Sequence, residues 1–160
     1  QGVRDKGVNL SEKKTTDLTI DPIDLRDKNY LIFNDYFNEL FNCYNDYKEQ
    51  WPFLDANIQT LDIPSFNIQR YLPGDHFSKI HTERSSTSTS HRVFAWMTYL
   101  NDLDKNSGGS TKFEHFDISF EPKKGKTLIW PAEWTHAHSG DVIKSGVKYI
   151  ITGWMCFPFN

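Results

Sequence analysis

The chain has 160 residues, of which 38% are hydrophobic and 24% charged, and its formal charge is −3. That length suits one domain with a closed core, the balance excludes a disordered chain, and the acidic charge excludes bulk phosphate binding, so no nucleic-acid partner is expected. No apolar run approaches the roughly 18 residues needed to span a bilayer, so no membrane partner is expected either.

Residues 1–29 are polar with alternating charge sign and read as a peripheral arm that orders only by docking on the body. The opening QGVRDKGVNLSEKK shows no leader pattern; it also lacks an initiator Met, which leaves a trimmed start open. Next, Phe33, Phe37, Leu40, Phe41, Tyr44 and Tyr47 recur at three- and four-residue spacing. They predict an amphipathic supporting helix over 30–48, with Asn34, Asp35, Glu39 and Asn42 on its wet side. After Pro52 the apolar segments shorten to strand length: FNIQRYL, FSKIH, VFAWMTYL, DISFEP, KTLIWP and KYIITGWMCF. Turn signals separate them at Pro73-Gly74-Asp75, Asn106-Ser107-Gly108-Gly109, Lys123-Lys124-Gly125 and Ser139-Gly140-Asp141. No β–α–β alternation is visible, so the expectation is one helix packed on an antiparallel barrel or sandwich, with residues 1–160 forming a single domain. The biased stretch Arg84–His91, RSSTSTSH, reads either as a mobile loop or as one that covers a substrate. Cys43 and Cys156 are too few for a disulfide framework, which suggests a reducing, cytoplasmic setting.

Spacing singles out a few of the six histidines, His76, His81, His91, His115, His136 and His138. His81 and Glu83 stand two apart at the end of FSKIH, which on a strand places both on one face. His136 and His138 repeat that spacing in WPAEWTHAHSG. Antiparallel strands could bring the clusters together as a two-histidine, one-carboxylate face with open positions, a set that suits Fe(II). Zinc is less well served, since neither a His-Glu-x-x-His helix nor a cysteine pair at metal spacing is present. Lys148 shares a strand face with Ile150, Thr152 and Trp154. Either it lies in water on an edge strand, or it points inward and needs an anionic partner.

In this order the motifs resemble the 2-oxoglutarate- and Fe(II)-dependent oxygenases, and within them the prolyl 4-hydroxylase-like branch. The resemblance covers about residues 66–157. It rests on Tyr71-Leu72-Pro73-Gly74, His81-Thr82-Glu83, Tyr99-Leu100-Asn101 and Gly108-Gly109-Ser110-Thr111-Lys112-Phe113. It also rests on Trp130-Pro131 with Trp134, and on His138 ten residues before Lys148 with Gly146 between. It implies a mainly β fold with an N-terminal helix and a double-stranded β-helix (jelly-roll, cupin-like) core over 66–157. It also implies iron held by His81, Glu83 and His138, and 2-oxoglutarate held by Lys148, Tyr99 and Tyr71, with Thr152 as a neighbour. O₂ is the second co-substrate, and ascorbate is compatible as an accessory reductant. The choice of His138 over His136 rests on the family spacing to Lys148.

One departure stands out. The family carboxylate is nearly always Asp, and this chain has Glu83, whose extra methylene requires the backbone to sit slightly further back. The resemblance implies a dioxygenase that hydroxylates an unactivated C–H, with a peptidyl-proline in a peptide or protein as first choice and release of succinate and CO₂. A free amino acid or other small molecule is the alternative substrate. A catalytically inactive jelly-roll binding module and a cupin-like metal hydrolase are the rival classes. Oligomeric state is not legible.

Overall fold

The computed structural model describes residues 9–58 and 60–158. The beginning of the expected arm, residues 1–8, lies outside the described residues. The remainder of the arm carries a strand, β1 (Thr16–Ile20), and two short 3₁₀ turns. The expected helix is α1 (Ile32–Gln50), followed at once by the unforeseen α2 (Pro52–Asn57). Eight strands follow: β2 (Phe66–Tyr71), β3 (Phe77–His81), β4 (Arg92–Tyr99), β5 (Thr111–Phe113), β6 (Ile118–Phe120), β7 (Thr127–Pro131), β8 (His138–Gly140) and β9 (Lys148–Cys156).

The strands form two antiparallel sheets, ordered β1-β2-β9-β4-β7 and β3-β8-β5-β6. From β2 onward the chain changes sheet at every connection except the β5–β6 hairpin. That winding produces the double-stranded β-helix, or jelly roll, expected of the fold class. Strand alternation then makes two cores. Tyr71, Ala95, Met97, Tyr99, Phe113, Trp130, Ile143 and Ile150 fill the space between the sheets. Ile20, Leu40, Phe66, Phe94, Trp96, Ile151 and Met155 form the outer layer, which α1 covers. Phe33, Phe37, Tyr44 and Tyr47 of the helix stripe pack there, the Phe37 ring meeting Phe66 at 5.1 Å and Tyr47 meeting Phe94 at 5.5 Å. Phe41 lies at the edge of the stripe and stays 60% exposed. Tyr36 takes its place inward, its hydroxyl 2.8 Å from the Thr98 hydroxyl.

β1 is an edge strand added beside β2, so the arm docks through a ladder running from Thr16 opposite Arg70 to Ile20 opposite Phe66. Lys14 pairs with Asp75 at 3.0 Å and Lys79 with Glu12 at 2.8 Å, tying the arm to the β2–β3 turn and to the edge of the second sheet. One turn reading changes. Ser139 and Gly140 lie inside β8 rather than in a turn. The Arg84–His91 segment contains a 3₁₀ turn at Thr87–Thr89 closed by its own hydroxyls: the Thr89 hydroxyl accepts from the Ser85 and Ser86 N–H groups, each at 3.1 Å.

Candidate active site

β3 and β8 are neighbours, and their register sets His81 directly opposite His138. Glu83 lies two residues beyond the end of β3, so a turn, and not a shared strand face, returns its carboxylate to the histidines. The Glu83 Oε1 atom stands 3.3 Å from His138 Nε2 and 3.6 Å from His81 Nε2. All three donor atoms fall within 4.8 Å of one another. Two donors about 2.1 Å from one ion and at right angles to each other are about 3 Å apart, so this set needs only slight closure to hold a metal on one face.

The imidazoles are already set for that task. His81 Nδ1 is 2.9 Å from the Lys79 carbonyl and His138 Nδ1 is 2.9 Å from the His136 carbonyl. Donation to those carbonyls leaves both Nε2 atoms as acceptors facing Glu83. Phe77 stacks on the His81 ring at 3.8 Å, and Trp130 meets the His138 ring edge-on at 5.0 Å, which fixes both planes. Burial pushes the His81 pKa down despite the pull of Glu83, favouring the neutral, ligating form. Burial pushes the Glu83 carboxyl up, but where an imidazole Nε2 carries a proton its hydrogen bond and charge, from His138 and from His81, outweigh burial and hold the group well below the usual carboxylate range.

His136 is not on the strand with His138. It ends the 3₁₀ turn Trp134–His136, and its ring packs against Phe116 at 5.0 Å. Its side chain is therefore not in the three-donor group, although its carbonyl orients His138.

Deeper between the sheets lies Lys148, opposite Tyr71 in the β2–β9 ladder and only 3% exposed. The edge-strand alternative is thus excluded, because β9 is flanked by β2 and β4. Lys148 Nζ donates to the Gly109 carbonyl at 3.0 Å and sits 4.4 Å over the Tyr71 ring. No carboxylate of the described residues forms an ion pair with it, and burial lowers its pKa from 10.5 to about 8. Gly109 adopts φ +78°, and a Cβ there would meet Ile143 Cδ1 at 2.5 Å, so glycine is what lets this carbonyl turn toward the ammonium. A buried cation without a salt-bridge partner, which only the more distant charge of Asp141 offsets, is a fitting seat for a ligand carboxylate.

The other expected site residues are engaged locally. The buried Tyr71 hydroxyl donates to Gln69 Oε1 at 2.7 Å. The Tyr99 hydroxyl is 2.7 Å from the Thr111 hydroxyl and donates to the Phe120 carbonyl at 3.0 Å, and burial pushes its pKa up to about 12. Thr152 gives its hydroxyl to the Trp96 carbonyl at 2.7 Å, so it offers no free donor. Arg92 and Trp154 were not foreseen as partners of Glu83. The Trp154 indole N–H donates to Glu83 Oε2 at 2.8 Å, and Arg92 donates to the Glu83 main-chain carbonyl at 3.0 Å. Trp154 was legible as a residue on the Lys148 face that could border the substrate; its bond to Glu83 follows from strand register, which no spacing in the sequence displays. A cavity of about 480 Å³ lies beside this centre, between the C-terminal half of α1 and strands β5–β7. It shares the Phe113–Trp130 wall but not the three donors.

Comparison with known proteins agrees with this geometry. The sequence pattern of the 2OG-Fe(II) oxygenase superfamily matches residues 66–156, more than half of the chain. A PKHD-type hydroxylase from Prochlorococcus marinus (strain MIT 9215) is 26% identical over 103 residues, covering 58% of this chain and 46% of its own. The chain spans about half the length of the curated relatives it matches. Among solved structures, the viral collagen prolyl hydroxylase of Paramecium Bursaria Chlorella virus-1, in its 2OG complex, superposes with a TM-score of 0.68 at 19% identity, covering 90% of this chain and 79% of that one. A Trichoplax adhaerens prolyl hydroxylase, in complex with a hypoxia inducible factor oxygen degradation domain peptide fragment, gives 0.67 at 15% identity, covering 97% and 69%. Those likenesses establish a shared fold, and the sequence pattern, running from β2 through both histidines and Lys148 to the end of β9, places the chain in the 2OG-Fe(II) oxygenase superfamily.

Proposed function

We propose that the chain is a 2-oxoglutarate-dependent dioxygenase that hydroxylates a peptidyl-proline, with His81, Glu83 and His138 holding Fe(II). The observation that carries this reading is the pairing, inside one barrel, of a three-donor face with a buried Lys148 that makes no salt bridge among the described residues. When bound, the iron together with 2-oxoglutarate and O₂ supplies the oxidation: one oxygen atom ends in succinate as CO₂ leaves, and the other in the hydroxylated C–H.

The chain's own groups bind and orient. His81 and His138 turn Nε2 toward the metal position because their Nδ1 atoms are committed to backbone carbonyls. Lys148 neutralises the distal carboxylate of 2-oxoglutarate, and Tyr99 serves it by exchanging its bond to the Phe120 carbonyl for one to the ligand. Tyr71 forms the ring wall beside the ammonium. Thr152 holds the β4–β9 backbone at that face. Phe113, Trp130 and Ile150 line the interior and exclude water.

The prolyl substrate is proposed from the prolyl hydroxylases of the same fold, one of them bound to a peptide fragment. The half-exposed Arg92–Trp154 pair and the exposed Trp134 offer flat and cationic surface at the mouth for a peptide. The test is incubation of the protein with Fe(II), 2-oxoglutarate and proline-containing peptides, followed by succinate measurement and mass spectrometry. Succinate formation coupled to the gain of one oxygen atom on a peptide is expected. Succinate formed without peptide oxidation would leave the oxygenase and remove the prolyl substrate; no succinate with correctly loaded metal would favour a binding module.

A further inference from the structure

We infer that Trp154 and Arg92 are positioning residues that make Glu83 a one-oxygen ligand and so fit the site to a glutamate rather than to the shorter aspartate. The inference rests on the metal reading of His81, Glu83 and His138.

The two Glu83 oxygens have separate environments. Oε1 faces both imidazole Nε2 atoms, at 3.3 and 3.6 Å. Oε2 is turned away and accepts the Trp154 indole N–H at 2.8 Å. Arg92 Nη1 lies 3.8 Å from the same Oε2 and holds the Glu83 main-chain carbonyl at 3.0 Å. The guanidinium is stacked 3.7 Å over the Trp154 ring, so the group that holds the main chain also fixes the indole. The β4–β9 ladder shifts register between Arg92 and Phe94, and such an irregularity re-aims a side chain at the end of a strand.

The chemistry makes this separation useful. A glutamate can grip a cation with one oxygen or with both. A two-oxygen grip would use a coordination position that 2-oxoglutarate and O₂ require. A buried charge-assisted hydrogen bond on Oε2 disfavours that grip. The clamp is also matched to glutamate. Removing one methylene withdraws the carboxylate by about one C–C bond, roughly 1.5 Å, which takes its outer oxygen out of reach of the indole.

The test is a double-mutant cycle read by metal affinity. Mn²⁺ is titrated calorimetrically into wild type, Trp154→Phe, Glu83→Asp and the double variant, each checked for folding by circular dichroism. Loss of a group that orients a ligand costs about 10- to 100-fold in metal affinity. That loss is expected for Trp154→Phe in the Glu83 background and is expected to vanish in the Glu83→Asp background. A change in the visible Co²⁺ ligand-field spectrum should accompany it in the Glu83 background alone. Equal losses in both backgrounds, or no loss and an unchanged Co²⁺ spectrum, would overturn the clamp. Should Trp154→Phe not fold, Arg92→Gln serves in the same cycle with a smaller loss of the same pattern expected, and no coupling to residue 83 overturns the proposal. Unchanged metal binding in Glu83→Ala would instead sink the metal reading itself.

Discussion

Replacing Lys148 with methionine should make the metal-free protein more stable and close to unable to bind 2-oxoglutarate. The side chain is 3% exposed, and its polar contact is the Gly109 carbonyl at 3.0 Å. Burial lowers its pKa from 10.5 to about 8, a difference worth about 3 kcal/mol of unfavourable charge burial at neutral pH. Methionine fills nearly the same volume without the charge, but leaves the Gly109 carbonyl without its donor, a loss of about 1 kcal/mol. The net expectation is stabilisation by about 2 kcal/mol, read as a rise of about 4–8 °C in the melting temperature of a chain this size. In the same variant, 2-oxoglutarate affinity should fall. Removing one partner of a buried charge pair costs about 2–5 kcal/mol, or roughly 30- to several-thousand-fold. The assays are thermal melting of the metal-free protein and calorimetry of 2-oxoglutarate with saturating Mn²⁺. A less stable Lys148→Met would refute the desolvation argument, and unchanged affinity would refute the assignment of Lys148 as the anion's partner.

The lowered Lys148 pKa also sets two pH dependences. Between about pH 8 and 10.5 the unfolded chain holds a proton that the folded chain has released, so this group's contribution to stability rises across that window and is lost as pH falls through about 8; denaturant melts of Lys148→Met should lack that slope. Since the anion needs the ammonium, 2-oxoglutarate affinity should weaken above about pH 8 in wild type and stay flat in Lys148→Arg, where the charge persists but fits less well; a flat wild-type profile in calorimetry would contradict this. His138→Ala should abolish Mn²⁺ binding while His136→Ala keeps it, because only His138 presents Nε2 to Glu83; the reverse pattern in metal titrations would mean the wrong histidine has been assigned. Glu83→Ala should lose succinate formation at ordinary iron concentrations and Glu83→Asp should retain part of it; full turnover by Glu83→Ala would place the carboxylate elsewhere.

The parts legible in the sequence are those where one residue's neighbours along the chain decide its environment. The α1 stripe carried its own period, and the long strands β4 and β9 carried their own apolar runs. β5 and β8 have three residues each, too few for a period to emerge. β1 reads as an arm because its strand state comes from pairing with β2; Ile20 is buried but Leu18 remains half exposed. At the site, His81, Glu83, His138 and Lys148 were legible as an ordered set of spacings. The reason given for His81 and Glu83 was incomplete, since a turn and not a strand face brings the carboxylate back. Gly109, Thr111, Arg92 and Trp154 contact the site residues across strands, and such contacts depend on registers such as Ala95 opposite Trp154 that the linear order does not encode.

The central claim is that metal and 2-oxoglutarate bind as one unit, the three-donor face and Lys148 each taking one end. Calorimetric titration of 2-oxoglutarate under argon, with and without Fe(II), tests it most directly. The account predicts one 2-oxoglutarate per chain with iron present and at least a large loss of affinity after complete chelation. Equal affinity in the two titrations would contradict it.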